Sequence, residues 1–234
     1  MSYPTLLFVH GASHGGWCWE LLRPHLSAPF TALDLPGRGP FARDPAAVEL
    51  EDWIEHVCQA VVRPDLRDVV LVGHSLAGIL LPRVTARIPE RLRHVVYVAC
   101  AVPPEGQSII DYLLGGVTLP TKVGPPDEAS ARAMFCNDMD PRQTQFVVEN
   151  LCAEAGRPFR EPMDLAGLAC PVPRTYVKLL RDQSAMGDKQ DEIIARLEPV
   201  HEVSLDSGHD AMISNPAALA QVLNALTRSR SSGE

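Results

Sequence analysis

The segment Val69-Val70-Leu71-Val72-Gly73-His74-Ser75-Leu76-Ala77-Gly78-Ile79-Leu80-Leu81 constrains this chain more than any other. A continuous apolar run enters a Gly-x-Ser turn and leaves at helical spacing, so the backbone must turn sharply between a buried strand and a helix packed on it. Small residues are needed there. A strained turn lifts the serine hydroxyl clear of the sheet, and bulk at Gly73 or Ala77 is expected to collide with adjacent backbone. The fifth position of the G-x-S-x-G pattern is Ala77, and Gly78 follows. The competing reading is a serine that merely caps a helix starting near Leu76. It leaves the strand directly before the turn unexplained.

The same alternation runs along the rest of the chain. Its 21 prolines and 16 glycines divide 234 residues into short apolar runs and longer helix-period segments, which is the α/β rhythm. Strands are expected at Thr5–Val9, Phe30–Leu33, Val69–Val72, His94–Ala99, Thr175–Leu179 and Val200–Leu205. Most are apolar throughout, as strands covered on both faces are, and they predict a mainly parallel sheet of about six strands. Helices are expected at Trp17–Leu26, Leu50–Val62, Leu76–Arg87, Asp188–Leu197 and Pro216–Thr227. The last opens with Asn215-Pro216, a capping residue followed by proline at the first helical position.

Between Pro103 and Pro171 the rhythm breaks. This stretch is rich in Pro and Gly and holds two helix-like segments, Glu128–Cys136 and Pro141–Ala155, the second started by Asp140-Pro141 and stopped by Gly156. An insertion of this kind reads as a cap over a site. The expected division is a core of residues 1–102 and 172–234 and a cap of residues 103–171. The tail Arg228–Glu234 is polar and expected to fray.

Composition excludes whole classes. With 46% hydrophobic residues the chain can bury one substantial core. Lys+Arg 21 against Asp+Glu 29 gives a net charge of −8 with no basic patch, so no nucleic-acid partner is expected. No apolar stretch is long enough to cross a bilayer, and Met1-Ser2-Tyr3-Pro4 lacks the features of a signal segment. A cytoplasmic protein without a membrane partner is expected. Cys18, Cys58, Cys100, Cys136, Cys152 and Cys170 show no CxxC spacing and are read as free, mostly buried thiols.

A nucleophilic Ser75 needs two backbone N–H donors for the developing oxyanion. Leu76 supplies one. The second is assigned to Ala12 in His10-Gly11-Ala12-Ser13-His14-Gly15-Gly16-Trp17, a Gly-rich turn leaving the first strand. Its glycines do not form G-x-G-x-x-G, and no Gly-Lys-Ser/Thr follows, so a phosphate loop is disfavoured. His209 is the expected base, because Ser207-Gly208-His209 leaves the last strand at a turn before the final helix. His10 and His74 are read as shaping their turns, and His14 as able to point into the pocket without a covalent role. His25, His56 and His94 are read as packing or surface residues, and His201 as lying at the wrong end of its strand. Asp182, just past Thr175–Leu179, is the expected acid that orients His209. Asp188 is read as an N-cap, and Asp206 as lying on or at the end of the last strand.

The order Ser75, Asp182, His209, with Phe8–Trp19, Leu33-Asp34-Leu35-Pro36-Gly37-Arg38-Gly39, Tyr176–Asp182 and Gly208-His209-Asp210, resembles the α/β-hydrolase superfamily. Within it, the chain resembles the branch of plant methyl esterases and hydroxynitrile lyases. The resemblance implies an α/β-hydrolase fold with a helical cap inserted before the last two strands, no cofactor, no metal, and a buried apolar pocket for a small ester. Lyases of that branch carry a threonine where this chain has Gly11 and a lysine where it has Asp210. Glycine has no hydroxyl, and an aspartate repels cyanide. An esterase is therefore expected, although Asp210 departs from the plant esterases as well.

The expected reaction is hydrolysis of a small carboxylic ester through an acyl-enzyme on Ser75. Tyr112, Phe135, Met186 and Met212 are candidates for the pocket wall. The alternatives are a lactonase, thioesterase or biosynthetic hydrolase or cyclase on the same residues, a carbon–carbon lyase, or a non-enzymatic small-molecule receptor. The expected partner is the ester alone, with a homodimer compatible.

Overall fold

The computed structural model describes residues 4–38 and 43–228. Gly39 and residues 229–234 of the expected tail, like Met1–Tyr3, lie outside the described residues. Among the described residues, eight strands and eight α-helices follow in chain order: β1 (Thr5–Val9), β2 (Phe30–Leu33), α1 (Leu50–Val62), β3 (Val69–His74), α2 (Leu81–Arg87), β4 (Leu92–Val98), α3 (Ile109–Leu113), β5 (Lys122–Val123), α4 (Glu128–Phe135), α5 (Pro141–Asn150), β6 (Glu154–Ala155), β7 (Arg174–Leu179), α6 (Gln190–Arg196), β8 (His201–Leu205), α7 (Ala211–Ser214) and α8 (Pro216–Thr227).

Six of the strands form one sheet in the order β2-β1-β3-β4-β7-β8, and every pairing in it is parallel. Parallel pairing sends all the strands' carboxyl ends to one edge. The pairs Val9↔Gly73 and Leu179↔Leu205 put the loop after β1 beside the turn after β3, and the loop after β7 beside the loop after β8. Four distant segments thus converge because the sheet is parallel.

Alternation of side chains along each strand splits the core into two layers. Leu7, Val9 and Leu71 face α1, α2 and α6 and pack with Trp53, Ile54 and Leu81. Leu6, Phe8, Val70 and Val72 face α8 and the turn over residues 16–25, and pack with Trp19, Leu22 and Leu219. Each such side chain contributes roughly 1.5–3 kcal/mol by leaving water. Both faces of β3 are covered, which is why its sequence is continuously apolar.

Several boundaries differ from expectation for local reasons. Leu76–Arg87 is not one α-helix: a 3-10 turn runs over Ser75–Ile79 and α2 starts at Leu81. Pro82 lacks the N–H that a continuous helix would need there. Residues 16–25 are also 3-10, with Pro24 inside. The expected helix Pro141–Ala155 ends at Asn150, since Cys152 N–H donates to Ser13 O at 2.9 Å and residues 154–155 pair with β5. Asp140 does cap α5, accepting from Arg142 and Gln143 N–H. Asn215 makes no side-chain cap bond, and neither does Asp188, which lies in a 3-10 turn ahead of α6. The insertion between β4 and β7 also contains α3 and the β5–β6 pair, which the sequence pattern had not marked. All six cysteines are free, two of them only half-buried.

Candidate active site

Ser75 directly follows β3 and holds a φ of +52°, a left-handed conformation that costs a non-glycine residue roughly 1–3 kcal/mol. The surroundings enforce it. Ala101 N–H donates to Ser75 O at 2.9 Å, and a Cβ on Gly11 would stand 2.8 Å from Ser75 Cβ. The small residues of the elbow are needed for partly different reasons than expected. A Cβ on Gly73 would meet the Leu81 and Ala77 side chains, not backbone, whereas one on Gly78 would come within 2.2 Å of Ala101 O. The backbone contact that excludes a side chain is therefore at Gly78.

His209 and Asp182 meet across the β7–β8 edge. His209 Nδ1–H donates to Asp182 Oδ2 at 2.8 Å, with both side chains almost fully buried. Asp182 Oδ1 accepts Ser184 N–H at 2.8 Å, and Ser184 Oγ lies 3.1 Å from His209 Nδ1. Burial alone would lower the His209 pKa, but the Asp182 carboxylate and its hydrogen bond outweigh burial and raise it. Burial would raise Asp182, and the charge and hydrogen bond of His209, helped by Ser184, hold it below the usual range.

Ser75 and His209 line one cavity of about 310 Å³, together with Ala12 and Leu76. Leu76 is the second residue of a helical turn, so its N–H has no acceptor within that turn. Most of the wall is apolar and comes from the insertion and the loop after β7: Ile109, Leu113, Phe135, Phe159 and Met186 are examples. Phe135 and Met186 stand where expected. Tyr112 and Met212 do not line the cavity. The Tyr112 ring lies 5.2 Å from both Lys189 Nζ and Arg196 Cζ, and Met212 is buried in the core layer behind the site.

The remaining histidines sort by their partners. His10 Nε2 accepts Leu35 N–H at 3.2 Å and its Nδ1–H donates to Gly11 O at 2.9 Å, so it pins two loops as a neutral ring. His74 Nε2–H donates to His209 O at 3.0 Å, and burial followed by the charge of His209 lowers its pKa to about 3. His14 does not enter the cavity. Its ring is buried against Asp210, 2.9 Å away. Asp206 lies beyond β8, paired with Arg181 at the surface. His74, His209 and Asp210 offer metal-type ligand atoms within 4.8 Å of one another, and each residue also makes one of the hydrogen bonds just described, through His74 Nε2, His209 Nδ1 and Asp210 Oδ2.

Three polar residues near the cavity carry no sequence motif. Ser184 lies beside the His209–Asp182 bond. Glu154 of β6 lines the cavity, accepts Ser13 N–H at 2.9 Å and forms a buried ion pair with Arg38. Asp138, between α4 and α5, accepts Gly208 N–H at 2.6 Å.

The Alpha/beta hydrolase family profile matches residues 6–222. The chain belongs to the alpha/beta hydrolase family. This hydrolase is 29% identical to Methylesterase 18 of Arabidopsis thaliana, over 95% of its own length and 97% of the relative's. It is 30% identical to the carbendazim hydrolyzing esterase of Nocardioides sp. (strain SG-4G), over 95% and 99%. Among solved structures, the methylesterase protein MES16 from Arabidopsis superposes with a TM-score of 0.79 at 26% identity, covering 94% of this hydrolase and 97% of that chain. An extracellular alpha/beta-hydrolase from a Paenibacillus species reaches 0.82 at 20% identity, covering 97% and 100%, a likeness of fold. The hydrolase thus sits in the methylesterase-like branch that its sequence resembles. No helix among the described residues is long and apolar enough to cross a membrane.

Proposed function

We propose that this protein is a serine hydrolase that cleaves small, apolar carboxylic esters, with Ser75 as nucleophile, His209 as base and Asp182 as its orienting acid. The observation that carries the reading is the His209–Asp182 hydrogen bond of 2.8 Å on a cavity that also exposes the strained Ser75. His209 Nε2 takes the Ser75 proton as Oγ attacks the ester carbonyl carbon, and the Ala12 and Leu76 N–H groups hold the oxyanion. The tetrahedral adduct collapses, the leaving alkoxide takes the proton from His209, and an alcohol departs. Water then attacks the acyl-enzyme with His209 again as base, and the acid is released. Asp182 keeps the proton on Nδ1, so Nε2 is the basic nitrogen throughout.

A cavity of about 310 Å³ suits a compact substrate. Residues 103–171 act as the cap that supplies most of its apolar wall. All six cysteines are free thiols, in keeping with a cytoplasmic site of action. A lyase reading is disfavoured because Gly11 brings no hydroxyl and Asp210 is turned away from the cavity toward His14.

The test is intact-protein mass spectrometry after a fluorophosphonate, on wild type and Ser75→Ala, with turnover of a panel of methyl esters, thioesters and lactones. One adduct, lost in the variant, with methyl esters turned over fastest, is the expected result. An unlabelled, folded wild type refutes the nucleophile, and preference for thioesters or lactones moves the reaction to another acyl donor.

A further inference from the structure

We propose that His14 and Asp210 form a second histidine–carboxylate couple that grips the Ala12 carbonyl, the peptide unit directly after the one bearing the Ala12 N–H, and so ties the oxyanion loop to the loop that carries His209. The inference rests on the reading of Ala12 as an oxyanion donor. Both groups are excluded from water, with side chains 1% and 0% exposed, and neither takes part in the mechanism above.

The argument is a count of protons. His14 Nδ1 lies 2.7 Å from Ala12 O and Nε2 lies 2.9 Å from Asp210 Oδ2. A peptide carbonyl and a carboxylate are both acceptors, so each contact needs its own hydrogen. A neutral imidazole has only one. The couple therefore holds an additional proton and is neutral as a whole, and with the Asp210 carboxylate ionised that proton sits on the ring, so that both nitrogens donate. The alternative partner for Asp210 is occupied: His74 Nε2 is 3.8 Å from Asp210 Oδ1 and already donates to His209 O. Burial would push the Asp210 carboxyl up, and the charge and hydrogen bond of His14 hold it down, in keeping with an ionised carboxylate. Asp210 Oδ1 is buried without a hydrogen-bond partner among the described residues, so the charge is costly to keep there.

The geometry gives that cost a use. Asp210 adjoins His209 in the chain, and the carbonyl gripped by His14 belongs to Ala12. One rigid ring, stacked on Trp17 at 5.2 Å and set edge-on to Phe135 at 5.1 Å, therefore fixes the distance between the base loop and the oxyanion loop.

The test compares Asp210→Leu, which keeps the bulk and removes the acceptor, with Asp210→Asn, whose carboxamide N–H donates to an unprotonated Nε2 while Nδ1–H stays on Ala12 O. Asp210→Leu should lose about ten- to a hundredfold in kcat with KM within about twofold, and Asp210→Asn should recover most of the loss. Nitrogen-edited NMR should show two ring N–H protons on His14 in the wild type, assigned by their loss in His14→Phe, and one in Asp210→Asn. Unchanged kcat in the leucine variant, equal losses in both variants, or a single ring proton on wild-type His14 would overturn the proposal. If the leucine variant does not fold, the ring-proton counts of wild type and Asp210→Asn decide. They need no ester, so they stand apart from the outcome of the ester assay.

Discussion

Replacing Asp138 by alanine asks whether the insertion only covers the site or also sets its geometry. The Asp138 carboxylate accepts Gly208 N–H at 2.6 Å and Ser207 Oγ–H at 3.2 Å, directly before His209. Its neighbour Asn137 donates to Arg181 O at 2.8 Å, directly before Asp182. Two adjacent residues thus hold both loops by the residue preceding the expected acid or base. Ser207 Oγ keeps Ser214 Oγ at 2.9 Å as an alternative partner. The contact to the half-exposed Arg181, at 3.7 Å, is worth little. The loss is then mainly one charge-assisted hydrogen bond, about 2 kcal/mol, or roughly 4–8 °C in Tm for a chain of this size. Asp138 does not line the cavity, so KM should hold while kcat falls about tenfold as His209 drifts from its position. Differential scanning calorimetry and initial rates on one ester measure both quantities. A lowered Tm with wild-type kcat would show that these contacts support the fold alone, and the reasoning would fail.

Other predictions follow from the same contacts. Gly11→Ala places a methyl 2.8 Å from Ser75 Cβ and 3.1 Å from His74 Nδ1; it should cost about 1–3 kcal/mol and slow labelling of Ser75, as urea melts and phosphonylation rates would show. Burial would lower the His209 pKa, but Asp182 outweighs burial and raises the pKa above the ordinary histidine range, so kcat/KM should rise as pH passes through the raised pKa and the base loses its proton. Asp182→Asn should lower kcat about 10⁴-fold and move the acidic limb to lower pH, which a pH–rate profile resolves. By linkage the sign is opposite for stability: the His209 contribution is full below its unfolded pKa and is lost as pH rises through the folded one, so thermal melts across that window should show a decline. Arg38→Met leaves the Glu154 carboxylate buried and without its guanidinium. A loss of about 3–5 kcal/mol in a denaturant titration is expected, partly restored by adding Glu154→Leu.

Much of the candidate site was legible because local chemistry writes its elements into the chain. Strands β1 and β2 and helices α1 and α8 begin and end where apolar periodicity, Gly and Pro place them. Ser75, Ala12, Leu76 and His209 come together because each follows a strand of one parallel sheet, and chain order then points to Asp182. Where proline and tertiary hydrogen bonds compete with helical propensity, as at Pro82 and Cys152, the pattern overextended its helices. Tyr112 and Met212 were expected in the pocket because an aromatic or a methionine in the right segment looks the same whichever way it points.

The sequence by itself determined the fold class, the strand–turn–helix around Ser75 and the family, since these depend on short-range periodicity and on small residues that a sharp turn demands. Only the tertiary structure decided what the polar residues do for one another. Ser184 beside His209, Asp138 on the loop before it, Glu154 with Arg38, and His14 with Asp210 join segments up to 196 positions apart. No local spacing encodes such pairs. A buried donor or acceptor must find a partner, and which one it finds is set by the sheet order and the path of the insertion, which only the folded chain brings into being.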